Sequence, residues 1–264
     1  AARPGYDGLI QAMGGVMSLT GVPDGEPMKV AVPICDLMAG MYASVGILAA
    51  VRHQAETGEG QFIDIGMLDT HIGWLANQGM NYLATGENPD RIGNMHPNIL
   101  PYQVMPTSDG YIVLSVGNDP TFERFCKLAE CEHLLEDERF QTNAARVSNR
   151  YHVTSVLNEI TQKRPSAWWL EELEKEKIGC GPINNLDQVF DDPHVKAREM
   201  IIEMEHPAMG TKPMKLIANP IKLSKTPPTY RKAPPMLGQH TNDILKEAGF
   251  SDDEIAKLKN SGAV

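Results

Sequence analysis

Apolar positions recur at helical spacing along most of this chain and alternate at only a few places. Ile10, Met13, Val16 and Met17 predict a weakly amphipathic helix within 6–20. Val22-Pro-Asp-Gly-Glu-Pro follows as a turn-rich loop, and a short apolar run, Val30-Ala-Val-Pro-Ile, leads into Asp36. From 37 to 54 the pattern is helical again. Ala39, Gly40, Ala43, Gly46, Ala49 and Ala50 offer small residues for close packing there. The apolar run at 39–51 is shorter than the ~20 residues that span a bilayer and predicts a buried helix. Thr57-Gly-Glu-Gly is a turn, 61–65 alternates like a half-buried strand, and 67–83 returns to helical spacing. Residues 87–101 hold Pro89, Pro97 and Pro101 among Gly, Asn and His, and predict a long loop. Loops of this kind are more often functional than idle.

A second unit begins near Pro101. Tyr102-Gln-Val-Met, a turn at Ser108-Asp-Gly, and Tyr111-Ile-Val-Leu-Ser-Val predict a hairpin. Helices follow over 121–129, 153–162 and 166–177, the last with Ser166 as its expected N-cap. Trp168, Trp169, Leu170 and Leu173 form an apolar stripe on it that predicts core. Gly179-Cys-Gly-Pro reads as a break, and a short helix starts at Asn185. From Glu203 the chain carries Pro207, Pro213, Pro220, Pro227, Pro228, Pro234 and Pro235, too many for a helical domain. That tail is expected to run extended over another surface before a last helix over 241–249.

Composition narrows the function classes. The 264 residues carry a formal net charge of −10 without a basic stripe, which argues against nucleic acid as a partner. Four cysteines without a CxxC give no disulfide framework, and a reducing compartment is expected. The cytoplasm is the expected location. No membrane association is expected. The first residues, Ala1-Ala-Arg-Pro-Gly-Tyr-Asp, have no initiator Met and read as the middle of a longer chain. Histidines lack HxxxH or HExxH spacing, so no metal is expected.

Asp36 is the one suggestive carboxylate. Directly before a tightly packing helix it is a natural N-cap, worth ~1 kcal/mol. The same geometry also orients a carboxylate for attack on an activated carbonyl. Pattern alone does not choose between these roles. His96, between Asn94 and Asn98, is a loop histidine, open to both a surface role and a binding one.

Several segments together resemble the class III CoA-transferases of the CaiB/BaiF type. They are Arg3-Pro-Gly-Tyr-Asp-Gly-Leu-Ile-Gln-Ala-Met-Gly-Gly, Cys35-Asp-Leu-Met-Ala-Gly, Ile47-Leu-Ala-Ala-Val-Arg-His and Thr57-Gly-Glu-Gly-Gln-Phe-Ile-Asp. Further on come Gly179-Cys-Gly-Pro-Ile-Asn, Asp192-Pro-His-Val and Leu237-Gly-Gln-His-Thr-Asn-Asp-Ile-Leu. Asp109-Gly-Tyr-Ile-Val, Thr142-Asn, Arg146-Val-Ser-Asn-Arg and Glu203-Met-Glu-His-Pro are most similar to the succinate–hydroxymethylglutarate (glutarate) branch.

The resemblance implies an α/β fold: part of a Rossmann-like large domain, a smaller α+β domain and a wrapping C-terminal tail. Boundaries are expected at 1–85 (second half of the large, CoA-binding domain), 86–200 (linker loop and small domain) and 201–264 (tail, with a final helix returning to the large domain). It implies Asp36 as the nucleophile, passing through a mixed anhydride and an aspartyl-CoA thioester. Tyr6, Met67 and Arg3 are then the coenzyme A contacts, and His96 and Asn94, on the loop over the active site, the substrate contacts. Donor and acceptor are expected to be an acyl-CoA and a short carboxylate or dicarboxylate. The same branch implies the mitochondrial matrix as the location in a eukaryote. The family's N-terminal part is absent from this sequence. An interlocked homodimer, or a complementing N-terminal chain, is therefore the expected partner. Two alternatives remain. A 2-methylacyl-CoA racemase would pair the Asp with a His where this chain has Tyr6, and a phenol with pKa near ~10 is a poor base for an α-proton. An inactive chain acting only as a partner is the other.

Overall fold

The computed structural model describes residues 4–264 and divides into two compact units, 1–183 and 184–264. The first unit opens with five helices: α1 (Asp7–Met13), α2 (Val16–Leu19), α3 (Ile34–Thr57), α4 (Met67–Gly73) and α5 (Ala76–Thr85). The helix expected over 6–20 is broken at Gly14-Gly15, where Gly15 takes a left-handed φ of 96°. Trp74 and Leu75 similarly interrupt the one expected over 67–83. Residues 61–65 form no strand: among the described residues no segment pairs with them in a ladder, and Phe62 is 92% exposed. They run instead against α3, where a Cβ on Gly46 would lie 3.4 Å from Ile63 Cγ2.

α3 departs furthest from its expected character. It extends over 24 residues, closed by Gly58 in the left-handed conformation, and its most apolar 18-residue stretch has a mean hydropathy of 1.8. By length and composition it could cross a membrane, a test that core helices of globular proteins also pass. It is not a buried helix here. Only Cys35 is fully buried, while Met41, Val45, Leu48 and Val51 are exposed.

The predicted hairpin forms: β1 (Tyr102–Pro106) pairs antiparallel with β2 (Tyr111–Ser115), Val104 opposite Val113. Gly179-Cys-Gly-Pro, read as a break, is instead a third strand, β3 (Gly179–Pro182), antiparallel to β2. Between β2 and β3 come α6 (Asp119–Leu128), α7 (Glu138–Gln141), α8 (Asn143–Ser148), α9 (Arg150–Thr161) and α10 (Ser166–Lys175). The N-cap of α10 is Pro165; Ser166 is the first helical residue, and its amide donates to Asp109 Oδ1 at 2.7 Å.

These elements enclose the principal core. Alternate strand residues Met105, Ile112 and Leu114 face it, as the two-residue period requires. Phe122, Phe125 and Cys126 of α6, Val153, Leu157 and Ile160 of α9, and Trp169 and Leu173 of α10 complete it at spacings of three and four. Each such side chain contributes about 1.5–3 kcal/mol by leaving water. Trp168 and Leu170 pack partly buried against this core, so the stripe on α10 is core, as predicted.

Arg146 of α8 is also wholly buried within this core. Its guanidinium donates to Leu100 O (2.7 Å), Phe140 O (2.8 Å) and Asp119 Oδ1 (2.8 Å), and lies 4.3 Å from the Phe122 ring centroid. Burial pushes it below its ordinary pKa, opposed by Asp119. Every polar edge has a partner, which is what allows a charge there.

The second unit holds α11 (Leu186–Asp191), α12 (Pro193–Ala197), an antiparallel pair β4 (Ile201–Met204) and β5 (Met214–Ile217), then α13 (Thr241–Glu247) and α14 (Asp252–Asn260). Asn185 caps α11, with Gln188 completing a capping box. The proline-rich stretch is pinned to its own unit: Asn219 N donates to Tyr230 Oη at 2.7 Å, and His206 Nε2 lies 2.8 Å from Pro234 O. α14 lies beyond the expected last helix and has its own capping box, Ser251 with Glu254. Ser251→Ala is expected to cost ~1 kcal/mol, seen as faster amide exchange confined to that helix.

Candidate functional site

Three helix starts, those of α1, α3 and α4, meet in the first unit and carry three of the six predicted residues. Asp36 is not the N-cap. α3 begins at Ile34 with Pro33 as the cap, so Asp36 is the third helical residue. Proline is preset for a helix start but has no side-chain oxygen for the first amides. Asp7, at the start of α1, supplies one: its Oδ1 accepts from Cys35 N at 2.8 Å. Its Oδ2 accepts from Gln11 Nε2 at 2.6 Å, and the fully buried Gln11 in turn accepts from Val30 N at 2.8 Å.

The Asp36 side chain is exposed and, among the described residues, has no hydrogen-bond or ion-pair partner. Tyr6 is the N-cap of α1, immediately before Asp7, and is 73% exposed. Met67 is the first residue of α4, and its Sδ would lie 3.7 Å from a Cβ on Gly5. Tyr6, Asp36 and Met67 are thus gathered around one junction, joined through the Gly5–Asp7 backbone. Arg3 lies outside the described residues.

Cys35, beside Asp36 in sequence, invites a rival reading as a thiol nucleophile. It is 1% exposed, with Sγ 3.2 Å from His71 Nδ1. Burial pushes its thiol up to about 11, and the negative charge of Asp7 adds to this. Burial also lowers His71, against the pull of Asp7. Both groups are therefore neutral near pH 7, the reverse of a thiolate–imidazolium dyad. Cys35 and His71 are packing partners behind the site. Gly14 admits the imidazole, since a Cβ there would stand 2.0 Å from His71 Cδ2. Gly14→Ala is expected to cost about 2 kcal/mol by overpacking, read from the urea midpoint.

His96 and Asn94 sit on the 86–101 loop, and no hydrogen bond joins their side chains to the helix starts among the described residues. His96 stacks on Tyr102 (centroids 5.3 Å apart, 5° between planes), and its Nδ1 accepts from Asn98 N at 3.1 Å. Asn94 is exposed. Other ties fasten this loop: Arg150 Nη2 to Pro97 O, Asn143 Nδ2 to Asn98 O, and Gly93 N to Gly21 O. A cleft of about 480 Å³ opens beside it, lined by Asn81, Thr85, Asp90, Asn98, Arg150 and Tyr151; none of Tyr6, Asp36 and Met67 borders it.

Sequence reasoning missed Asp7, Gln11 and His71. Asp7 and Gln11 are four apart on one helix, a spacing that brings side chains together, and that signal was present in the sequence. Nothing local marked His71.

Residues 1–241 match the model of CoA-transferase family III. Among curated proteins, the succinate–glutarate CoA-transferase of Agrobacterium fabrum is 42% identical over 92% of this chain and 60% of its own length. The human succinyl-CoA:glutarate CoA-transferase is 35% identical over 99% of the chain and 60% of its own length. The chain therefore spans about 60% of the curated relatives it matches. A solved structure of a CaiB/BaiF family protein from Brucella suis superposes with a TM-score of 0.76 at 43% identity, over 93% of this chain and 63% of that one.

Proposed function

Because the chain belongs to CoA-transferase family III, we propose that its residues serve an enzyme moving coenzyme A between carboxylic acids, with Asp36 as the nucleophile. The observation that carries this reading is the free carboxylate of Asp36 at the start of α3, beside the exposed Tyr6 and the start of α4.

The Asp36 carboxylate attacks the thioester carbonyl of the donor acyl-CoA, giving a mixed anhydride and releasing CoA thiolate. The thiolate then attacks the aspartyl carbonyl; donor carboxylate leaves and an aspartyl-CoA thioester remains. The acceptor carboxylate attacks that thioester, forming a second mixed anhydride and freeing the thiolate again. Attack of the thiolate on the acceptor's acyl carbonyl yields the new acyl-CoA and regenerates Asp36. No proton is gained or lost over the cycle. Each tetrahedral oxyanion calls for backbone N–H donors, and splitting the exchange this way lowers each barrier.

Tyr6 presents an aromatic face to the coenzyme and Met67 a pliable apolar wall. Succinyl-CoA is the proposed donor and a short dicarboxylate the proposed acceptor, in keeping with the names of the relatives. A second copy of the chain in an interlocked dimer, or a complementing N-terminal polypeptide, is proposed to complete the coenzyme pocket. His96 and Asn94 are proposed to meet the substrate from the loop.

Incubation with succinyl-CoA followed by hydroxylamine tests the mechanism by intact mass. A hydroxamate mapping to Asp36 is the expected product. A protein that transfers coenzyme A at full rate with no trappable carboxylate would overturn the covalent route.

A further inference from the structure

The first turn of α3 is capped from outside the helix, and this bears on how its third residue can act. A helix start leaves several amides without intrahelical acceptors. The N-cap here, Pro33, offers them no side-chain oxygen. An acid at the third helical position ordinarily turns back onto the N-cap amide, as in a capping box. Proline has no amide to receive it. Left to itself, the Asp36 carboxylate would be the nearest acceptor for the bare first-turn amides.

Asp7 removes that demand. Its Oδ1 takes Cys35 N at 2.8 Å. Burial raises its carboxyl, but hydrogen bonds from Gln11 and from the amides of Cys35 and Asp36 outweigh this and hold it below the usual carboxylate range. Asp7 is itself fixed by Gln11, whose other end holds Val30 N in the segment that delivers α3. One short helix therefore grips both the approach to α3 and its first turn. Among the described residues, the Asp36 carboxylate is left with no backbone partner.

We infer that Asp7, braced by Gln11, is a positioning residue that caps α3 in place of Asp36 and so keeps the Asp36 carboxylate free and aimed for attack. This rests on Asp36 being the nucleophile. Asp7 does not touch substrate in this role; it acts through the backbone of Cys35 and Asp36.

The test compares Asp7→Ala, Asp7→Asn paired with Gln11→Glu, and Asp36→Ala in the active protein by steady-state coenzyme A transfer and hydroxylamine trapping. Asp7→Ala is expected to lower kcat about 30-fold while the KM for acyl-CoA stays within about 2-fold, since misplacement harms the reacting group more than binding. Asp7→Asn keeps an oxygen for Cys35 N but sets its Nδ2 against the Gln11 Nε2 donor, so it is paired with Gln11→Glu, whose carboxylate accepts from both that Nδ2 and Val30 N. The double variant is expected to stay within about 3-fold of wild type. Wild-type kcat in Asp7→Ala, or a double variant as slow as Asp7→Ala, would overturn the inference. Should Asp7→Ala not fold, the double variant decides alone: near-normal turnover upholds the inference, and a loss of about 30-fold sinks it. An active Asp36→Ala, by contrast, would sink the proposed nucleophile. An inactive Asp36→Ala beside a normal Asp7→Ala would sink only the positioning role.

Discussion

Asp36→Ala is expected to lower transfer turnover by at least about 10⁴-fold, the scale seen when a covalent nucleophile is removed. The hydroxylamine-trapped product should vanish with it. Stability should change by less than about 0.5 kcal/mol, because the side chain is exposed and makes no hydrogen bond or ion pair among the described residues. That pairing of outcomes separates the roles left open by sequence pattern. A capping aspartate would lose ~1 kcal/mol of stability and little turnover. Asp36→Glu is expected to fall between, about 10²-fold down, since one added methylene moves the carboxylate about 1 Å from its place. Turnover and calorimetry on the same three proteins decide it.

Arg146→Met is expected to destabilise the first unit by about 4 kcal/mol, read as a drop in the urea midpoint with an unchanged slope. The substitution keeps much of the aliphatic volume but abandons three acceptors. The oxygens of Leu100 and Phe140 lie beside a group with no exposure, so each left unpaired costs about 1–3 kcal/mol. The Asp119 carboxylate is 44% exposed and can turn to water, so it adds little. Loss of the contact over Phe122 supplies a further part. Arg146→Lys is expected to recover less than half of the loss, because one ammonium cannot reach three acceptors spread around a planar fork.

Much of the second half of the first unit was legible in sequence because its patterns close locally. The hairpin of β1 and β2 needs only two alternating runs and a turn, and Trp169 and Leu173 mark the inner face of α10 by spacing alone. β3 was not legible: Gly-Cys-Gly-Pro has no strand propensity and takes its form from the edge of β2. The opposite error occurred at 61–65, where propensity was present and, among the described residues, a partner strand was not. At the site, Asp36 stood out because it ends an apolar run, but its position in the helix did not. Pro33 moves the helix start upstream, and Asp7, 28 residues away from Cys35, makes that start tenable. Arg146 could be read as part of a family segment. Its burial depends on carbonyls contributed from residues 100 and 140, which no local pattern reveals.

The three-stranded sheet has two outer borders, β1 and β3, with β2 between them. Tyr111-Ile-Val-Leu-Ser in β2 is the kind of segment that seeds cross-β stacking when it is laid bare. Each border strand ends in a proline, Pro106 on one side and Pro182 on the other, and neither can donate a ladder hydrogen bond. β3 adds two glycines and only four residues of length. A stray strand arriving at either border meets an interrupted row of donors, so the fold guards this fibril-prone segment by placing it where no newcomer can reach and by making both approaches poor templates.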